Sequence, residues 1–122
     1  MTRHLRNRTN HFAGEAAEQS VALWYERRGY QIAERRWRGP GGEVDLITRN
    51  ADGLVFVEVK KSSTHAAAAQ RITPRQMERI YASAAQYLEN EPMGQLTNVR
   101  FDVALVDASG RHEIIENAYG LG

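Results

Sequence analysis

The chain has no cysteine among its 122 residues, which excludes a disulfide framework and any thiolate metal site. That absence suits a reducing compartment, and the expected location is cytoplasmic. The four histidines, His4, His11, His65 and His112, stand singly, without the spacing of a zinc site. No apolar run approaches the roughly 20 residues that cross a bilayer, so no membrane partner is expected. The basic N-terminus has no apolar segment behind it and so does not read as a secretory signal. A large excess of one charge is missing too, since the formal net charge is +1. Whole-chain charge therefore does not announce nucleic-acid binding, and its distribution has to be read instead.

That distribution is uneven. Arg3, His4, Arg6, Arg8 and His11 fall in the first eleven residues, with no acid among them. They read as a basic, flexible arm over 1–11 ahead of a single domain over 12–122. Arg35, Arg36 and Arg38 surround Trp37 in a second cluster. Arg3, Arg6, Arg8, Arg36 and Arg38 are the candidate phosphate contacts, because guanidinium groups beside an aromatic suit backbone and base together. Taken alone, each cluster equally suits a solvated terminus or a polar strand end.

Two acidic strings carry the chemistry. Gly42-Glu43-Val44-Asp45-Leu46-Ile47 and Val55-Phe56-Val57-Glu58-Val59-Lys60 are apolar runs interrupted by charge. Burying an unpaired carboxylate is costly, so such charges point to a metal ion or a reacting group. Asp52-Gly53 between them signals a tight hairpin. A two-residue loop at Asp52–Gly53 places Ile47 opposite Glu58 and Asp45 opposite Lys60, with Asp45, Glu58 and Lys60 on one face. A three-residue loop would move Asp45 to the other face. Two such carboxylates suit Mg²⁺ or Mn²⁺, which prefer oxygen ligands and keep several waters. A neighbouring lysine orients or helps deprotonate the attacking water and offsets charge on a phosphate. The spacing, twelve residues between Asp45 and Glu58 followed by Lys60, is that of the PD-(D/E)xK nucleases. The bland alternative is a solvated edge with a surface Glu58–Lys60 ion pair, against which Val-Phe-Val-Glu-Val is very apolar.

The remaining elements follow from periodicity. Residues 10–28 read as a helix with Ala13, Ala17, Val21 and Trp24 in one stripe, Leu23 beside it and Gly29 as its stop. Tyr30 to Trp37 starts as a strand, and 39–42 is a glycine-rich loop. Residues 61–72 read as a mobile loop, with a helical turn as the alternative for its alanines. Thr73-Pro74-Arg75-Gln76 starts a second helix with a capping box, and Met77, Ile80, Ala84 and Leu88 mark its buried face. Gln76 is a candidate site residue, although capping already explains it. Val99 to Leu105 alternates as a half-buried strand, and Glu113 to Ala118 closes the order α-β-β-β-α-β-β. Such an order gives a mixed sheet flanked by helices.

These residues resemble a known family. Gly14-Glu15-Ala16-Ala17-Glu18, Arg28-Gly29-Tyr30, the two acidic strings, Thr73-Pro74-Arg75 and Arg100-Phe101-Asp102-Val103 occur in the order of the bacterial YraN family. The likeness covers roughly residues 12 to 119. That family is placed in the restriction-endonuclease-like superfamily, so the resemblance implies a three-layer α/β fold of that type. The same skeleton is similar to archaeal Holliday-junction resolvases. It implies a catalytic set of Glu18, Asp45, Glu58 and Lys60, with Glu18, Asp45 and Glu58 toward the metal. Glu43 is a candidate extra ligand. Val44 stands where the wider superfamily has proline, and Gln76 where the family usually has lysine. The implied function is Mg²⁺- or Mn²⁺-dependent endonuclease action on DNA, with branched or flapped DNA as substrate and a homodimer where two strands are cut. The rival is a non-catalytic nucleic-acid-binding or adaptor protein that keeps the fold.

Overall fold

The sheet is built by two successive hairpins, one long crossover and a final hairpin. A computed structural model describes residues 15–118 of the chain. The basic residues Arg3, Arg6 and Arg8, with His4 and His11, lie outside the described residues, as does the expected helix start over 10–14.

Helix α1 runs through residues 15–26. Gly29, at φ +88, ends it. The Gly29 N–H donates to the Glu26 carbonyl at 3.1 Å and the Tyr30 N–H to the Tyr25 carbonyl at 3.1 Å, the Schellman pattern. The buried face holds Ala17, Val21, Ala22 and Tyr25, whereas Leu23 is exposed, against expectation. Its hundred-degree step from Ala22 turns it to solvent.

Five strands form one sheet in the order β1-β2-β3-β4-β5: β1 (Gln31–Gly39), β2 (Gly42–Asn50), β3 (Gly53–Lys61), β4 (Val99–Val106) and β5 (His112–Ile115). All neighbours are antiparallel except β3 and β4, which are parallel. A parallel pair needs a crossover, supplied here by α2 (His65–Ala69) and α3 (Pro74–Leu88). The expected loop over 61–72 is thus partly helical. Thr64 caps α2 by accepting the Ala67 N–H at 3.0 Å, and Ala68 is fully buried. Thr73 caps α3 by accepting the Gln76 N–H at 3.2 Å. Only Pro40–Gly41 turn between β1 and β2, because Gly39 and Gly42 already pair. Gly41 lies so close to Arg79 that an added Cβ would meet its carbonyl oxygen.

The helices cover both faces. α1 packs on Leu46, Val55, Val57, Ala104 and Val106. α3 and α2 pack on Ile47, Leu54, Phe56, Val103 and Leu105. The result is a three-layer mixed α/β fold, as expected, with α2 as an added element. β4 is not half-buried but buried on both faces from Asp102 onward, since it is an interior strand between β3 and β5. β5 is shorter than expected.

Asp102 is fully buried and fully partnered. It accepts from Tyr25 Oη at 2.6 Å, Arg100 Nε and Nη2 at 2.8 and 3.0 Å, and the Asn117 N–H at 2.9 Å. This network ties α1 to β4 and to the turn after β5. Among the described residues no helix is long and apolar enough to cross a membrane. Tyr25→Phe should lower stability by about 1–3 kcal/mol in urea unfolding, because it leaves a buried carboxylate short of a donor. Asp102→Ala should lower it further, since it strands Arg100, Tyr25 and Asn117 together.

Candidate metal centre

The hairpin closes two residues away from the expected register. Asn50 pairs with Gly53, so the loop is Ala51–Asp52. The Asn50 side chain accepts the Asp52 and Gly53 N–H groups at 2.9 and 3.2 Å, an Asx-type turn. Gly53 serves a different need. Its φ is +151, and a Cβ there would press on the Asn98 carbonyl. A shift of two residues preserves side-chain faces, so Asp45 falls across from Glu58 instead of Lys60.

The ladder ends at Leu46↔Val57, one step short of Asp45. Beyond it the Val59 N–H donates to Asp45 Oδ2 at 2.7 Å. A carboxylate therefore replaces strand backbone where β2 and β3 part. Alternation also breaks here. Leu46 packs in the α1 layer, yet Val44 packs in the α3 layer. Strict period-two geometry would put both on one face. Across the sheet, the pairs Arg35↔Leu46 and Trp37↔Val44 flank Arg36, whose φ is +50. This local twist lets Asp45 line a cleft against α1 while its carboxylate still reaches Glu58.

Glu58 is 8 % exposed and lies beside the Asp45 carboxyl group. Burial, then the Asp45 charge and hydrogen bond, push its carboxyl up to about 9; Lys60 pulls down and Glu43 pushes up. Lys60 Nζ stands 3.8 Å from Glu58 Oε1, close enough to neutralise charge but long for a hydrogen bond. Glu18, on α1, is raised by burial, lowered by its hydrogen bond to Arg36, and raised by Asp45. Arg36 Nε and Nη2 lie 2.9 and 2.8 Å from Glu18 Oε1.

Two clefts meet at the Asp45–Glu58 pair. The wider, of about 590 Å³, is lined by Glu15, Glu18, Gln19, Arg35, Arg36 and Asp45. The smaller, of about 90 Å³, is lined by Glu43, Glu58, Gln76, Arg79 and Ser83, among others. Asp45, Glu58 and Lys60 are thus brought together, with Glu18, Glu43 and Gln76 around them. Arg38 is exposed on β1, whereas Arg36 is engaged by Glu18. Sequence reasoning missed Arg79 and Ser83. The spacing of Gln76, Arg79 and Ser83 along one face of α3 was the available signal.

The donor set suits a hard divalent cation: two adjoining carboxylates, one deeply buried, with open space for water. Among the described residues no three His, Asp or Glu side chains are already grouped to grip a metal. Glu18 shares the Asp45 cleft but is held by Arg36. A cation there would displace the proton that burial and the Asp45 charge hold on Glu58.

The family model described as "Uncharacterised protein family UPF0102" matches residues 17–106, which span α1 to the end of β4. The chain belongs to the UPF0102 family. A UPF0102 protein of Ruegeria pomeroyi is 60% identical over 96% of this chain and 95% of its own length. UPF0102 proteins of Cereibacter sphaeroides and Roseobacter denitrificans are 58% and 50% identical, over 90% and 94% of this chain and 94% and 89% of their own lengths.

Buried Glu58, beside the Asp45 charge, makes the stability of this UPF0102 protein pH-dependent. Unfolded Glu58 ionises near 4.5, whereas the folded group keeps its proton to about 9. Between those values the unfolded chain binds fewer protons, so stability falls as pH rises. Glu58→Gln keeps a donor for Asp45 without the charge. In chelator, the variant should melt several degrees (~2–8 °C) above wild type at pH 8 and close to it at pH 4.5, by calorimetry.

Proposed function

We propose that this UPF0102 protein is a metal-dependent phosphodiesterase acting on DNA, with the restriction-endonuclease-like arrangement of its site. The observation that carries this reading is the Asp45 and Glu58 carboxyl groups side by side with Lys60 next to them, where the β2–β3 ladder opens. A carboxyl group buried beside a second acid is a costly way to fill an apolar hairpin if its role is structural alone.

In this reading Asp45 and Glu58 hold Mg²⁺ or Mn²⁺, and Glu18 completes or tunes the site. Bound there, the metal supplies a lowered water pKa and neutralises charge on the scissile phosphate. Asp45 is oriented for its part by the Val59 N–H. Lys60 places its ammonium beside Glu58 and positions the attacking water. Gln76 and Arg79 border the smaller cleft, where they are placed to hold a substrate group near Glu58. Arg38 offers a phosphate contact on the exposed strand β1. Branched or flapped DNA, and a second copy of the chain to cut a second strand, belong to this proposal on the strength of the resolvase likeness.

One observation favours a second reading, a nucleic-acid-binding or adaptor protein without turnover. Among the described residues no metal cage stands assembled.

A cleavage panel tests the choice: single-stranded, duplex, flapped and four-way-junction DNA, and RNA, with Mg²⁺ and with Mn²⁺. The proposal expects at least one DNA form to be cut, and Asp45→Ala to abolish cleavage while DNA affinity stays or rises. Lys60→Ala should bind Mn²⁺ nearly as wild type, since a protonated amine offers no ligand electrons. Its single-turnover rate should fall about 10²–10³-fold. Wild-type rates in Lys60→Ala would make the lysine a plain strand residue. No cleavage of any substrate would favour the adaptor.

A further inference from the structure

The Arg36–Glu18 pair sits at the mouth of the wide cleft. Both guanidinium contacts fall on Glu18 Oε1, at 2.9 and 2.8 Å, and Glu15 Oε1 lies 4.0 Å from the same Nη2. The Arg36 side chain is 41 % exposed, while that of Glu18 is 19 % exposed. The arginine thus offers its open side to solvent, and the glutamate faces the cleft that Asp45 lines. Arg36 also sits at φ +50, opposite the point where β2 alternation breaks. Its backbone conformation is uncommon for a side chain of this size, and it directs the guanidinium toward α1.

Charge makes this arrangement consequential. Glu18 lies in the field of Asp45 and Glu43, which disfavour its ionised form. Arg36 offsets that repulsion, but as long as it does so it holds Glu18 by one of its oxygens. An ion pair whose arginine stands open to solvent is screened there and can exchange partners. A phosphodiester is a bidentate guanidinium acceptor, and DNA brings such groups at high local density.

We propose that Arg36 is a positioning residue that keeps Glu18 off the metal site until a DNA phosphate takes over its guanidinium. This rests on the metal-centre reading above. Glu18, released, turns to the cation held by Asp45 and Glu58 as a further carboxylate ligand. Substrate and metal then bind cooperatively: each tightens the other by the same factor. The arrangement accounts for a site with its carboxylates gathered but no three of them grouped. The exchange moves no covalent bond, only two ion pairs.

Calorimetric Mn²⁺ titration of the full chain tests it, with and without a non-cleavable phosphorothioate duplex. Arg36→Gly is the main variant, because glycine suits the local φ and removes the guanidinium together with its stem. Arg36→Lys serves as a second variant that keeps the charge. Wild type should bind Mn²⁺ about tenfold more tightly with DNA than without. Arg36→Gly should bind it about tenfold more tightly than wild type in the absence of DNA, lose the DNA-linked gain, and bind DNA less well. In a Glu18→Gln background Arg36→Gly should bring no gain, which separates release of Glu18 from simple loss of a nearby positive charge. An equal gain in that background, or no gain in either, overturns the proposal. If wild type binds Mn²⁺ and Asp45→Ala does not, such a failure leaves the metal centre standing. If wild type and Asp45→Ala are alike toward Mn²⁺, the metal-centre reading itself fails and the proposal with it.

Discussion

Glu58 is buried beside the Asp45 charge, so its carboxyl group holds a proton far above the usual range, and much of the site follows from that constraint. Two ionised acids side by side, one of them buried, would repel strongly. Something positive has to stand there: burial and the Asp45 charge keep a proton on Glu58 up to about 9, and Lys60 Nζ lies 3.8 Å from Glu58 Oε1. The backbone is arranged around the pair. The β2–β3 ladder stops one step before it, and the Val59 N–H turns to Asp45. The strand alternation breaks beside it, so that one carboxylate opens to the α1 cleft and the other to the α3 cleft.

The rest of the fold holds this opening in place. α3 is pinned over the β1–β2 turn by Ser83, whose hydroxyl accepts the Gly41 N–H and donates to the Gly42 carbonyl, each at 3.1 Å. Arg49 and Glu91 clamp the far end of β2 to the segment after α3 through two contacts of 2.6 and 3.0 Å. On the other face, Tyr25 reaches Asp102 and fixes α1 against the sheet. With both helices anchored away from the carboxyl pair, the cleft walls keep their spacing without side chains having to fill them.

Most of the fold was legible because its signals are local. Thr73-Pro74 started α3, Gly29 stopped α1, and the apolar runs gave the strands. The nearness of Asp45 to Glu58 was legible because the register error was two residues and the side-chain period of a strand is two. Their expected common face was not kept, since the break in alternation opens Asp45 to the α1 cleft and Glu58 to the α3 cleft. Asp-Gly signalled the turn, but Asn50 closed it and Gly53 was needed beside Asn98. What stayed hidden depends on contacts distant in sequence. Asp102 read as the polar half of an alternating strand, because nothing local says that Tyr25, on α1, meets it. Arg36 read as a phosphate contact, because its partner Glu18 lies on another element. The helical turn at His65–Ala69 was ambiguous from composition, and burial of Ala68 decided it.

Membership of UPF0102 fixes the family, and the chemistry rests on the carboxyl pair. The most direct measurement is therefore proton release on metal binding. Mn²⁺ titration of the full chain at pH 7, run in buffers of differing ionisation enthalpy, counts the protons set free. The account predicts about one proton released per Mn²⁺, lost in Asp45→Ala, because the cation takes the place of the proton held on Glu58. Mn²⁺ binding that releases no proton, or that survives in Asp45→Ala, would contradict it.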